Sequence, residues 1–160
     1  MAKITLYLPL FIILIASSFA GCEDGKPKLT VEGARAELSP VMRGEGLVYF
    51  RIVNAGGKDT LTQVKTSIPG ATADLHEMKG NFMVLARTMR IPAKSTVELQ
   101  PMASHIMLEN MPRDVKAGLP FTLTLVFEKS GELQIALILM KAQPMMKEHD
   151  HEHDDEHRSR

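Results

Sequence analysis

From Leu29 onward the chain is a succession of short apolar or alternating runs, none much longer than about ten residues, each closed by turn-forming residues. The runs are Leu29–Leu38, Gly46–Asn54, Leu61–Thr66, Thr72–Met78, Phe82–Thr88, Thr96–Pro101, His105–Met111, Phe121–Glu128 and Leu133–Met140. Between them stand Ser39-Pro40, Asn54-Ala55-Gly56-Gly57, Ile68-Pro69-Gly70, Ile91-Pro92, Pro112-Arg113-Asp114, Gly118 and Ser130-Gly131. Val48–Asn54 and Phe121–Phe127 are rich in β-branched and aromatic residues, and an apolar stripe at i, i+3, i+4 is hard to draw after the first 21 residues. About nine strands in roughly 115 residues predict an all-β domain, a two-sheet Greek-key β-sandwich with a barrel as the alternative. Glu128–Glu132 reads as a glycine-bearing hairpin connection between the last two strands.

The first 21 residues are set apart from this pattern. Lys3 is their only charge, Ile4–Ala16 is almost unbroken apolar sequence, and small residues follow, which is the layout of an export signal. Phe19-Ala20-Gly21-Cys22 resembles a lipobox with Phe19 in place of the usual leucine, so residues 1–21 are expected to be a lipoprotein-type signal peptide and Cys22 the lipidated residue. Cleavage after Ala20 and a retained transmembrane anchor are the alternatives. Either way the chain is exported, to a periplasm or the extracytoplasmic membrane face. Residues 22–27 form a short polar linker, 28–141 the folded domain, and 142–160 a flexible tail with no core-forming run.

Charge and cysteine content remove several classes of function. With the segment 1–21 set aside, 18 basic face 19 acidic side chains, and nothing suggests a nucleic-acid partner. Cys22 is the sole cysteine, so the domain beyond it has no disulfide, no nucleophilic thiol and no thiolate metal ligand. A blue-copper electron-transfer centre, which needs a cysteine beside two histidines, is excluded. No nucleophile, base and oxyanion set can be assembled, so an enzyme is not expected.

What remains conspicuous is sulfur of another kind. The stretch His76–Met111 holds Met78, Met83, Met89, Met102, Met107 and Met111 together with His76 and His105. On a strand, residues two apart share a face about 6.6 Å apart, so His105 and Met107 present imidazole and thioether to one point while Ile106 and Leu108 face the core. The alternative is that Met107 packs over a sheet edge and His105 is solvated. If the segments bearing His76 and Met83 lie beside this pair at one end of the sandwich, two imidazoles and two thioethers meet. Neutral soft sulfur favours Cu(I) over zinc, magnesium or calcium. Glu77, by alternation, points away from His76 as a solvated residue or an outer partner. In the tail, His149, His151, His153 and His157 alternate with Glu and Asp, a nitrogen and oxygen set suited to Cu(II) or zinc, or else simply a soluble acidic tail.

Order and spacing carry a resemblance. Gly46-x-x-Tyr49-x-x-Ile52-x-Asn54, Ala73-x-Leu75-His76-Glu77-Met78, Ile91-Pro92-Ala93-x-x-Thr96-Val97-Glu98-Leu99-x-Pro101, His105-Ile106-Met107-Leu108 and Leu123-Thr124-Leu125-x-Phe127-Glu128-Lys129-x-Gly131-Glu132 together resemble the periplasmic copper chaperone family PCuAC across residues 30–140. The resemblance implies a cupredoxin-like sandwich that binds Cu(I) through a His...Met...His-x-Met set and passes copper toward cytochrome c oxidase assembly. The implied partners are a copper-accepting protein, the oxidase copper subunit or another copper chaperone. The set falls on His76, Met83, His105 and Met107. There are 21 residues between Met83 and His105, as in the family, and only six between His76 and Met83, a shorter interval. Met78 and Met89 are the alternatives for that position. The rival function is a lipid-anchored binding or structural protein of the envelope whose methionines only pack a core.

Overall fold

The computed structural model describes residues 25–101 and 103–141. The expected signal segment, Cys22, Met102 and the tail with His149, His151, His153 and His157 lie outside the described residues. Those residues form ten strands and no helix: β1 Leu29–Leu38, β2 Gly46–Asn54, β3 Asp59–Thr66, β4 Thr72–Lys79, β5 Phe82–Leu85, β6 Met89–Ile91, β7 Ser95–Leu99, β8 His105–Glu109, β9 Pro120–Phe127 and β10 Gly131–Met140.

The strands run β5-β4-β8-β2-β1-β10-β9-β3-β6, with β7 on β2 beside β8. All pairings are antiparallel except β1 with β10, a short parallel seam at Ala36↔Leu139 and Glu37↔Met140. This seam joins two sheets: β5-β4-β8-β2-β1 with β7, called the front sheet below, and β10-β9-β3-β6 behind it. The chain crosses between them after β2, β3, β5, β6 and β8, as in a Greek-key, cupredoxin-like sandwich. The pairing ends at β5 and β6 without closing into a barrel.

Alternation builds the core. Val48, Phe50, Ile52, Leu75, Ile106 and Leu108 from the front sheet face Leu61, Leu123, Leu125, Phe127 and Leu139 from behind, all buried. Each such side chain contributes about 1.5–3 kcal/mol on leaving water. The run expected over Phe82–Thr88 is divided. Strand β5 stops at Leu85, Ala86 turns into the core, and Met89–Ile91 pairs with β3 in the other sheet. Ile91 needs an apolar partner that the solvent-facing edge of β5 cannot give, and it reaches full burial across the sandwich.

Two buried polar residues pin the loops at one pole. Asn54 donates through Nδ2 to the carbonyls of Gly57 (2.7 Å) and Pro92 (2.8 Å), while its Oδ1 accepts from the backbone of Gly56 (2.9 Å) and Lys28 (3.3 Å). Here Gly25–Pro27, part of the expected linker, lies so close that a Cβ on Gly57 would sit 1.7 Å from the Gly25 carbonyl oxygen. Asp59 accepts from the backbone of Thr60 (2.8 Å), Lys129 (2.9 Å) and Ser130 (3.0 Å) and from the Ser130 hydroxyl (2.6 Å), tying the β9–β10 hairpin to β3. Burial pushes the Asp59 carboxyl up, but these hydrogen bonds outweigh it and hold the group below its usual range. The hairpin itself closes over three residues with Gly131 at φ 74°, the left-handed position such a loop needs.

Candidate metal centre

The outer surface of the front sheet gathers the sulfur and imidazole groups. Strand β8 is central there, between β4 and β2, and it is buried on both faces: Ile106 and Leu108 toward the core, His105 and Met107 on the outside. Register sets their neighbours. His76 is the direct partner of His105, and Met107 stands between Asp74 of β4 and Leu47 of β2. The imidazoles of His76 and His105 have centroids 5.8 Å apart and planes at 48°. Tyr49 meets the other side of His105 edge-on at 6.4 Å. The group therefore lies on the outer face of the sheet, near its β4–β5 edge.

His105 is oriented by its own backbone neighbourhood. Its Nδ1 is 3.0 Å from the Ala103 carbonyl, which can only accept, so Nδ1 carries the proton and Nε2 keeps a free lone pair. Burial lowers the His105 pKa, the nearby His76 lowers it further, and the Ala103 carbonyl partly opposes both. A neutral ring with one unshared nitrogen is what a metal needs. On Tyr49, burial and then the charge of Glu37 push the phenol up, so it stays protonated beside the imidazole.

His76 leans along the sheet. Glu109 lies four residues past His105 on the same face, and its Oε1 is nevertheless 3.9 Å from His76 Nε2, which places the ring toward Met107. Glu77 faces the other way and pairs with Lys79 at 3.2 Å, as alternation requires. Asp74, Glu109 and Tyr49 were not singled out as members of this group, although the two-residue period puts Asp74 with His76 and Glu109 with Met107.

The methionines divide. Met107 is 7% exposed and sits within the group, whereas Met83 pairs with Met78 at the tip of the β4–β5 hairpin, two residues beyond His76. Met89 belongs to β6 in the back sheet, opposite Leu61, away from the histidines. Met111 is buried in the core, a packing residue. Among the described residues no three His, Cys, Asp or Glu side chains are arranged to hold an ion by themselves.

Known proteins show the same architecture. The chain superimposes on the apo PCuAC domain from PmoF1 with a TM-score of 0.62 and 28% identity, over 72% of this chain and 95% of that one. The copper-bound PCuAC domain from PmoF2 matches at a TM-score of 0.60 and 24% identity, over 72% and 94%. The solution structure of CuI-DR1885 from Deinococcus radiodurans matches at 0.59 and 22%, over 78% and 85%. In sequence, "Putative lipoprotein Lxx21020" of Leifsonia xyli subsp. xyli (strain CTCB07) is 28% identical over 118 residues, 71% of each chain. The profile of the LpqE-like lipoprotein family matches residues 29–138. With the PCuAC fold in place and that match spanning most of the domain, the chain belongs to the LpqE-like family.

Proposed function

We propose that this protein is an exported Cu(I) carrier that holds the ion on the outer face of its front sheet and gives it up by ligand exchange, without catalysing a reaction. The observation that carries the reading is the direct pairing of His76 with His105, with Met107 one step along the same face. Imidazole and thioether are neutral donors. They bind soft Cu(I) without the net charge that would make release to a second protein costly. Relatives whose names state bound copper share the fold.

Cys22 is proposed as the lipid attachment point, in keeping with the name of the Leifsonia relative. Because Gly25 is already packed against Gly57, only Glu23 and Asp24 would stand between anchor and domain, a reach of about 10 Å over three Cα–Cα steps. The carrier would work close to the extracytoplasmic membrane face. Its acceptor is a copper-binding protein, in this reading the copper subunit of cytochrome c oxidase or another copper chaperone. The tail histidines His149, His151, His153 and His157 are proposed to collect Cu(II).

Metal analysis after anaerobic Cu(I) loading tests the core of this. The wild type should retain one equivalent more than a His105→Ala, Met107→Ala double variant whose fold is verified by circular dichroism. Equal copper in the two proteins removes the proposal.

A further inference from the structure

Four lysines from three distant parts of the chain are fixed around one loop, Asn54–Gly57. The carbonyls of Lys26 and Lys28 accept from the N–H groups of Gly57 (3.0 Å) and Ala55 (2.9 Å), and the Lys94 N–H donates to the Gly56 carbonyl (3.1 Å). The Lys129 N–H donates to Asp59, two residues past the loop (2.9 Å). All four lysines are exposed, and among the described residues none of them forms a salt bridge. Lys58 is exposed beside them and has an interaction of its own. Lys94 stands at φ 50°, a left-handed conformation that glycine or asparagine takes with less strain. The chain puts a cation at this turn in spite of that strain.

Between the N-terminal segment and the β9–β10 hairpin lies an open cavity of about 490 Å³, lined by Gly25, Lys26, Pro27, Lys129 and Ser130. That is the size of a small-ligand site. Ser130 turns both its N–H and its hydroxyl to Asp59, so the charge offered to the cavity is that of Lys26 and Lys129. Carboxylates at this pole are fewer than cations. Asp59 is buried and already accepts four hydrogen bonds, Glu128 is exposed next to Lys129, and Glu23 and Asp24 precede the cavity in the chain. With five lysines against them, the pole keeps an excess of positive charge.

We infer that this cavity binds the phosphate of an anionic phospholipid headgroup in the leaflet that the anchor enters. The inference rests on the reading of Cys22 as the lipid attachment point, which holds the cavity about 10 Å from the anchored end. That is close to one Debye length at physiological ionic strength. A phosphodiester carries one negative charge and oxygens that accept hydrogen bonds, and Lys26 and Lys129 supply two ammonium groups with no carboxylate partner. Lys28, Lys58 and Lys94 extend the attraction to the surface around the cavity. The contact orients the domain and is too weak and salt-sensitive to keep the protein in the membrane without its anchor. Strands β1 and β10 begin at this pole and β2 and β9 end there. With the pole against the membrane they point away from it, and the outer face of the front sheet stays open to an acceptor from the side.

The test uses residues 22–160 with Cys22→Ser, so that lipidation plays no part, pelleted with vesicles of phosphatidylcholine or of phosphatidylcholine with about 40% phosphatidylglycerol. At about 50 mM salt the phosphatidylglycerol vesicles should retain about tenfold more protein, and about 300 mM salt should remove most of the difference. Lys26→Gln with Lys129→Gln should lower that retention by about fivefold or more and leave Cu(I) stoichiometry unchanged. Lys94→Asn should also lower it while the urea midpoint holds or rises, a combination that a purely structural lysine would not give. The amide signals of Gly25, Lys26 and Ser130 should shift with a short-chain phosphatidylglycerol and much less with inorganic phosphate at the same concentration. Equal retention by the two vesicle types overturns the inference, as does full retention of the Lys26, Lys129 double variant. Equal shifts with inorganic phosphate overturn the lipid assignment in favour of free phosphate. Absence of lipid on Cys22 by mass spectrometry of the wild type would overturn the anchor reading alone, since the vesicle result is read on a chain that carries none.

Discussion

Acidification should release copper held at the proposed site. With His105 as a ligand, a proton and Cu(I) would compete for its one free nitrogen, because the other is committed to the Ala103 carbonyl. A histidine ligand of ordinary pKa, near 6.5, costs about tenfold in apparent affinity for each pH unit well below that value, so about 30-fold at pH 5 relative to pH 8. Burial and the neighbouring His76 lower the pKa of His105, so its share of this loss starts at lower pH and is smaller at pH 5. The thioethers contribute no pH dependence at all. Affinity should then be flat above about pH 6.5 and fall below about pH 6, with a slope that steepens toward two decades per pH unit if both histidines are ligands. The assay is competition with a Cu(I) chelator from pH 5 to 8, corrected for the chelator's own protonation. A flat profile refutes histidine ligation. The same shift bears on the apo protein. His105 resists its proton when folded and accepts it when unfolded, so its contribution to stability is complete above pH 6.5 and is lost as the pH falls through that value toward the lowered folded one. Denaturant titrations of the wild type at pH 5 and 7.5 should differ by more than those of His105→Gln, and equal differences would contradict the burial argument.

Other expectations follow from the pole opposite β8's C-terminal end and from the tail. Asp59→Ala removes the acceptor of four hydrogen bonds and should cost about 3 kcal/mol by urea unfolding, while Cu(I) affinity stays the same; a loss under about 1 kcal/mol would mean that water replaces the carboxylate. Because the Asp59 carboxyl is held below its usual range, the wild type should lose that advantage as the pH falls through the lowered value, and the variant should not. Gly57→Ala places a methyl group against the Gly25 carbonyl and should free Gly25–Lys28 for tryptic cleavage after Lys28, with a stability cost of about 1–3 kcal/mol; unchanged cleavage would show that the segment is not held there. Deleting residues 146–160 should lower Cu(II) stoichiometry and leave Cu(I) affinity alone, and an unaltered Cu(II) titration would leave the tail without a metal role. Cys22→Ser should move the protein from the membrane to the soluble fraction of the cell envelope, and persistence in the membrane would refute the lipid anchor.

Local periodicity was enough to read the strands and the polarity of their faces. Val48–Asn54 and Phe121–Phe127 alternate as their burial does, and His105-x-Met107 shares a face because a strand repeats every two residues. The same rule could have drawn in Asp74 and Glu109, each two residues from a named ligand. It could not show that Asn54 and Asp59 would be buried, since their hydrogen-bond partners come from loops as distant in sequence as Pro92 and Ser130. A resemblance in spacing named four donors, but spacing counts residues along the chain and copper counts ångströms across a sheet. Only the pairing of β4 with β8 sets His76 beside His105, and only the short β4–β5 hairpin sets Met83 opposite Met78. The break after Leu85 also sends Met89 into the opposite sheet. Which face a side chain takes follows from its own strand. Which strand lies next to it depends on how the whole apolar surface is shared between the two sheets, and that is settled only when the sandwich closes around its core.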